Sequence, residues 1–204
     1  MKTFWDFCAP FYDMAEKNNG PAYTEMLQIV RERIPQGATV FEAAAGTGAI
    51  SLAVSDKANH ILCTDVSEKM LNVARRKTAK RGAQNITIEN QDIFALDAAD
   101  SSFDVVVAGQ VLHLIDEPER AAAELKRIAK SMVILPMCLL KGLRGKAKWS
   151  VRLWKLLGFD PKIEFDAADY AEFLHTIGFE DCEIIQIAGK LPMAVAVWKK
   201  GGES

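Results

Sequence analysis

Along this chain, short continuous apolar runs alternate with stretches whose apolar residues recur every three or four positions, a pattern that predicts alternating strands and helices. A helical stretch over roughly Thr24 to Arg33 ends in a turn at Pro35, Gln36 and Gly37. The run Thr39 to Phe41 then reads as a first buried strand, followed by a helix over about Thr47 to Ser55. His60 to Thr64 is a second strand. Ser67 is placed to cap a helix that runs to Arg81, and Gly82 follows where a left-handed stop is expected. Asn85 to Glu89 reads as a third, partly polar strand, and Phe103 to Ala108 (FDVVVA) as a fourth, apolar enough to be covered on both faces. A helix over Glu117 to Ala129 has Pro118 in its first turn, and Met132 to Pro136 makes a fifth strand. This order argues for an α/β fold, a parallel sheet with right-handed crossovers.

Beyond residue 136 the pattern changes. From Met137 to Phe159 there are six basic residues (Lys141, Arg144, Lys146, Lys148, Arg152 and Lys155) and no acidic one. Over Lys146 to Leu157, Lys148, Arg152 and Lys155 share one helical face, and Trp149, Leu153, Leu156 and Leu157 fall on another. Three readings stay open: a cap helix with its apolar side on the domain and its basic side in water, a lid over an apolar or anionic acceptor, or a membrane-surface contact through residues 146–157. A helix over Ala167 to Thr176 follows, with Gly178 beyond its end. Cys182 to Ile187 and Met193 to Trp198 then read as two strands turning at Gly189, and so short a link makes them antiparallel.

Composition narrows the class. The 204 residues are half hydrophobic and one-quarter charged, which suits one domain over 1–204. Within it we expect an N-terminal helical cap over about 1–34 and a basic, lid-like insertion over about 137–165. A net charge of −2 gives no electrostatic case for a nucleic-acid partner. Asp6, Asp13 and Glu16 interrupt any apolar signal core, and no run approaches the length of a bilayer span. Four dispersed cysteines without a C-x-x-C pair point to reduced thiols, so a cytoplasmic protein is expected. No cluster has metal-ligand spacing.

The chemistry lies at the strand ends. Glu42 to Gly48 (EAAAGTG) joins the first strand to the next helix, an arrangement that brings a ligand against backbone N–H groups. A phosphate-binding Gly-Lys-Ser/Thr is absent, and a dinucleotide fingerprint starting at Gly46 would have Ser51 where Gly or Ala is wanted. Neither reading uses Glu42. A donor bearing a sulfonium and an ammonium, such as S-adenosylmethionine, does use it, since a carboxylate near the loop balances the cation directly or through water. A plain strand–helix turn remains compatible with Gly-Thr-Gly alone. Asp65 ends the second strand, where two acceptor oxygens match a ribose cis-diol, with Val66 against the adenine; its alternative role as a helix cap is better served by Ser67. Asp92 and Ile93 follow the third strand, placed to meet the adenine amino group and ring.

Taken together, VFEAAAGTG, CTDVS, NQDIF and FDVVVAGQVLHLI resemble the successive motifs of class I S-adenosylmethionine-dependent methyltransferases, of the small-molecule type related to the quinone-biosynthesis enzymes. The likeness covers roughly Phe4 to Leu135 by motif and Ala167 to Trp198 by topology. The opening FWDFCAPFYDM resembles the A-x-x-Y-D entrance of that group, in which the Tyr covers the donor. The resemblance implies a Rossmann-like sheet of order 3-2-1-4-5-7-6 with strand 7 antiparallel and helices on both faces. It implies methyl transfer from S-adenosylmethionine to a small-molecule acceptor, leaving S-adenosylhomocysteine. The donor contacts that it implies are Tyr12, Glu42, Ala44, Ala45, Gly46, Gly48, Asp65, Val66, Met70, Asp92, Ile93 and Gln110. One departure stands out: the family usually has Gly where this chain has Ala44, and a methyl group is tolerable there only if φ is negative. His113, beyond the fourth strand, is the candidate general base, with Tyr12 second; a packing role for His113 in its apolar V-L-H-L-I setting is the alternative. Rival functions are a protein that binds the donor without transferring methyl, and a nicotinamide-dependent oxidoreductase.

Overall fold

The computed structural model describes residues 4–12 and 20–201. Residues 1–3 and 13–19 of the expected N-terminal cap, Asp13 and Glu16 among them, lie outside the described residues. Seven strands form one sheet: β1 (Thr39–Ala43), β2 (His60–Asp65), β3 (Ile86–Asn90), β4 (Phe103–Ala108), β5 (Ala129–Cys138), β6 (Glu183–Ile187) and β7 (Met193–Lys199). Their order is β3-β2-β1-β4-β5-β7-β6. The first five pair in parallel, and β7 runs antiparallel to both β5 and β6. The described helices are α1 (Phe4–Cys8), α2 (Pro21–Arg33), α3 (Ala49–Val54), α4 (Glu68–Arg81), α5 (Pro118–Ile128), α6 (Gly145–Leu156) and α7 (Ala167–Thr176).

Strand alternation divides the core into two apolar layers. Val40, Val105 and Val107 face one side, against Met26 and Val30 of α2 and Ile50 and Val54 of α3. Phe41, Val106 and Ala108 face the other, against Leu125 and Ile128 of α5 and Tyr170 and Leu174 of α7. A strand covered on both faces has no polar side to show, which is why FDVVVA is continuous rather than alternating. The Tyr170 hydroxyl keeps its one polar atom satisfied in this core by donating to the Leu135 carbonyl at 2.8 Å.

The caps follow their sequence signals. Ser67 caps α4, its Oγ accepting from the Met70 amide at 3.3 Å, and Gly82 stops that helix at φ 73°. Strand β5 is longer than the expected Met132 to Pro136. It is extended by polar Lys130 and Ser131 at one end and, at the other, by pairing with β7 as far as Cys138.

Helix α6 differs from the cap-helix expectation. Its inward stripe is Ala147, Val151 and Trp154, with the Trp154 ring 6.1 Å from that of Phe4. The larger apolar set (Trp149, Leu153, Leu156 and Leu157), which the cap-helix reading alone put on the domain, points to solvent. Both sets have helical spacing, and the small, buried Ala147 of the inner one lets the helix sit close.

Candidate functional site

The sheet order reverses between β1 and β4, and in open α/β sheets the crevice beyond the strand C-termini at that point is where ligands bind. Here a cleft opens among the segments that follow β1, β2, β3 and β4, roofed by the N-terminal segment.

The turn after β1 is held in a backbone shape that few residues favour. Ala44, Gly46 and Gly48 have φ of 49°, 54° and 69°. Gly48 is required twice over, because a Cβ there would also sit 3.2 Å from the Ala74 Cβ of α4. The structure thus reverses the condition placed on Ala44: its φ is positive, so its methyl is accommodated at the expense of backbone strain. The loop is pinned from beneath by the Ala45 amide on the Thr64 carbonyl at 2.8 Å.

Two carboxylates brace the turn from opposite sides. Glu42 is buried behind it, and its Oε2 accepts from the Ser51 amide at 2.8 Å and from the Ser51 hydroxyl. Ser51 lies in the first turn of α3, so the acid ties β1 to the helix start, where a negative charge is favoured. Burial nevertheless pushes the Glu42 carboxyl up to about 7, against the pull of those hydrogen bonds. Ser51, which spoils the dinucleotide fingerprint, is thus the residue that makes a buried acid at 42 tolerable. Asp65 braces the front. Its Oδ2 accepts from the Gly46 amide and its Oδ1 from the Ser67 amide, each at 2.8 Å. Burial raises its pKa, and the two backbone donors oppose that shift.

The roof is docked by the same strand end. The Ser67 hydroxyl donates to Asp6 Oδ1 at 2.7 Å, setting α1 over the start of α4. That contact leaves Trp5 and Tyr12 lining the cleft, their rings 6.2 Å apart and edge to face. Asn90 holds the other edge, its amide donating to the Asp65 and Val66 carbonyls at 3.0 and 2.9 Å.

Gln110 closes the far wall. Its φ is 57°, its amide donates to the Pro136 carbonyl at 2.9 Å, and its Oε1 accepts from the Cys138 amide at 2.8 Å. Since a backbone N–H needs the side-chain oxygen, the NH₂ end is fixed by elimination. That Nε2 is buried with no partner among the described residues, which leaves two donors for a ligand to satisfy.

Of the residues singled out from sequence, Tyr12, Ala44, Gly46, Asp65, Val66, Met70, Asp92, Ile93 and Gln110 come together on the cleft wall. Val66 stands at the rim, 61% exposed, as a flat apolar ligand face would need. Asp92 Oδ1 accepts from the Phe94 amide at 3.0 Å. Glu42, Ala45, Gly48 and His113 do not line the cleft: the first three shape and support the loop from behind. His113 is buried, its Nδ1 has no hydrogen-bond partner among the described residues, and its ring packs 6.3 Å from that of Phe159. Burial alone lowers its pKa to about 4. Sequence reasoning missed Trp5, Gln91, Phe94, Gly109, Val111, Leu114 and Ile115, which also line the cleft. Most are apolar, and their signal in the sequence is that of any core residue.

The lining is decisive in its charge: Asp65 and Asp92 are present, and no Lys or Arg is among the described residues that form it. A family model described as a methyltransferase domain matches residues 41–135. Over those residues this chain is similar to methyltransferase domains. It is 35% identical over 94 residues to a demethylmenaquinone methyltransferase of Clavibacter sepedonicus, an alignment covering 46% of this chain and 38% of that one. It is 32% identical over 96 residues to a phosphatidylethanolamine N-methyltransferase of Cereibacter sphaeroides, covering 47% of each. The chain thus spans less than half the length of these curated relatives. Among solved structures, the magnesium protoporphyrin IX methyltransferase of Synechocystis, with S-adenosylhomocysteine bound, superposes with a TM-score of 0.65 at 18% identity. That match covers 90% of this chain and 84% of the other, and it is a likeness of fold.

Two predictions follow from the loop. Because the folded-state pKa of Glu42 is raised from 4.5 to about 7, its contribution to stability is fully present below its unfolded value and is lost as pH rises through 7. The loss amounts to about 3 kcal/mol at most. Glu42→Gln should therefore flatten the fall in urea-unfolding free energy between about pH 5 and pH 8, and a slope equal to that of the parent would contradict this. Ala44→Gly should stabilise the chain by roughly 0.5–1 kcal/mol, the relief of left-handed strain less the added freedom of the unfolded chain. Destabilisation in the same assay would contradict the strain.

Proposed function

We propose that this chain transfers the methyl group of S-adenosylmethionine to a small, apolar organic acceptor, releasing S-adenosylhomocysteine. The observation that carries the reading is the cleft's polarity: carboxylates and an unsatisfied amide donor, with no cation among the described lining residues for a phosphate. A nicotinamide dinucleotide brings a pyrophosphate, for which no described lining residue offers a cation, whereas a cationic, phosphate-free donor needs none. When bound, the donor supplies an electrophilic methyl group that needs no further activation.

The protein's part is to bind, align and exclude water. Asp65 keeps acceptor capacity beyond the Gly46 and Ser67 amides, enough for a ribose diol. Val66 and Ile93 flank the adenine, and Asp92 accepts from its amino group. The Gln110 NH₂ meets the carboxylate of the methionine portion, and Met70 and Tyr12 close over it. Trp5, Phe94, Leu114 and Ile115 give the remaining wall an apolar character. That character suits an acceptor of the kind named for the two relatives, demethylmenaquinone or phosphatidylethanolamine.

We assign no proton transfer to His113. An imidazole that burial lowers to about 4, off the cleft and with no partner for its Nδ1 among the described residues, is a weak and misplaced base. His113→Leu should leave kcat within about threefold of the parent, whereas loss of a general base costs 10²–10⁴-fold. Asp65→Ala should weaken S-adenosylhomocysteine binding by more than about tenfold in calorimetry, because it removes both the diol acceptor and the clamp on Gly46. Unchanged affinity would remove Asp65 from the site. Transfer of labelled methyl to a quinol or amine acceptor tests the whole reading; tight donor binding with no product across such acceptors would leave a binding protein instead.

A further inference from the structure

Helix α6 turns an unusual face to water. Trp149 is 72% exposed, Leu153 58% and Leu156 78%, on a helix that already seats a separate apolar stripe inward. Leaving three such side chains hydrated is unfavourable in proportion to their area, so a covering surface is expected.

The charge around them indicates what covers them. Lys141 pairs with Asp166 and Asp169, and Lys155 with Glu164. Arg144, Lys146, Lys148 and Arg152 make no ion pair among the described residues, and the Arg152 guanidinium lies 5.8 Å from the centre of the Trp149 ring. No acidic residue occurs from Met137 to Phe159. A second copy of this chain, packed about a twofold axis, would set these four cations against themselves. A lipid surface of negative charge satisfies both components at once, the apolar side chains entering the acyl boundary and the cations meeting phosphates.

We propose that α6 docks this chain on an anionic membrane surface. Its inner face touches Phe4 through Trp154, and Phe4 packs on Trp5, which lines the cleft. The same N-terminal segment exposes Phe7 and Phe11. Docking therefore couples the lipid-facing helix to the aromatic wall of the cleft, a route by which a membrane-dissolved acceptor reaches the methyl donor. That route rests on the methyl-transfer reading; the docking itself does not.

Co-sedimentation of the full chain with vesicles tests it, using phosphatidylcholine alone and phosphatidylcholine with one-third phosphatidylglycerol at physiological salt. The chain should pellet with the anionic vesicles only, and its tryptophan emission should shift to the blue. The double substitution Lys148→Glu with Arg152→Glu should reduce partitioning by at least about tenfold. The triple substitution Trp149→Ser, Leu153→Ser and Leu156→Ser should do the same. Both sets of substitutions fall on exposed side chains and leave the core untouched, so far-ultraviolet circular dichroism should be unaltered. No partitioning, or partitioning on both vesicle types that survives charge reversal, would overturn the proposal. So would a dimer that the triple substitution dissolves, in the absence of vesicle binding. S-adenosylhomocysteine binding measured on the same preparation separates the two readings. Donor binding without vesicle binding overturns only the docking, and vesicle binding without donor binding overturns only the methyl-transfer reading.

Discussion

One carboxylate, that of Asp65, ties together the parts from which the cleft is made. It accepts from the Gly46 amide in the turn after β1 and from the Ser67 amide at the start of α4. Ser67 in turn reaches Asp6, which carries the N-terminal roof. Three segments far apart in sequence are thereby referred to one strand end. Such a group can hold the turn and still accept from a ligand, because an ionised carboxyl offers more acceptor sites than the two in use. Burial works against the charge, and the backbone donors offset that cost. Removing them would leave a half-buried anion unpaired, which explains why turn, cap and roof are joined rather than independent.

The cleft also holds its strain where a ligand would meet it. Ala44 and Gln110 both have positive φ without being glycine, and they follow β1 and β4, the two strands at the switch point of the sheet. Each such residue costs of order 1–3 kcal/mol, and the surrounding hydrogen bonds keep it in place. At Gln110 the result is an amide group whose oxygen is committed to Cys138 and whose nitrogen is free to donate. Glu42 contributes from behind: it fixes the start of α3 through Ser51 at the expense of its own ionisation. The turns that form the cleft are therefore held by hydrogen bonds from the residues around them, and the rest of its wall is largely apolar.

Much of this was legible in the sequence, for identifiable reasons. Continuous apolar runs gave the buried strands, and Ser67 and Gly82 marked the limits of α4, because those signals are local. Asp65 was legible because an acid closing an apolar run has few structural uses, and Asp92 only through its position after the third strand. The direction of the Glu42 side chain was not, since a β-strand residue's neighbours come from other segments; only the fold shows Ser51 beneath it. The sign of φ at Ala44 was hidden for the same reason. On α6 the periodicity was right, and of the three readings left open the cap helix with its large apolar side on the domain is not what is seen: the smaller stripe with Ala147 packs inward, on Phe4 through Trp154, and the large one is left outside. Nothing in one sequence distinguishes an apolar face that packs on its own domain from one that packs on something else.

The central claim is that the cleft around Asp65 and Gln110 holds S-adenosylmethionine. An amide-resolved nuclear magnetic resonance titration with S-adenosylhomocysteine tests it most directly. The account predicts saturable shifts centred on the Gly46 and Ser67 backbone amides and the Gln110 side-chain NH₂, with the Ser51 amide behind the loop little affected. Absence of binding, or saturable shifts that leave Gly46 and the Gln110 side chain unmoved, would contradict it.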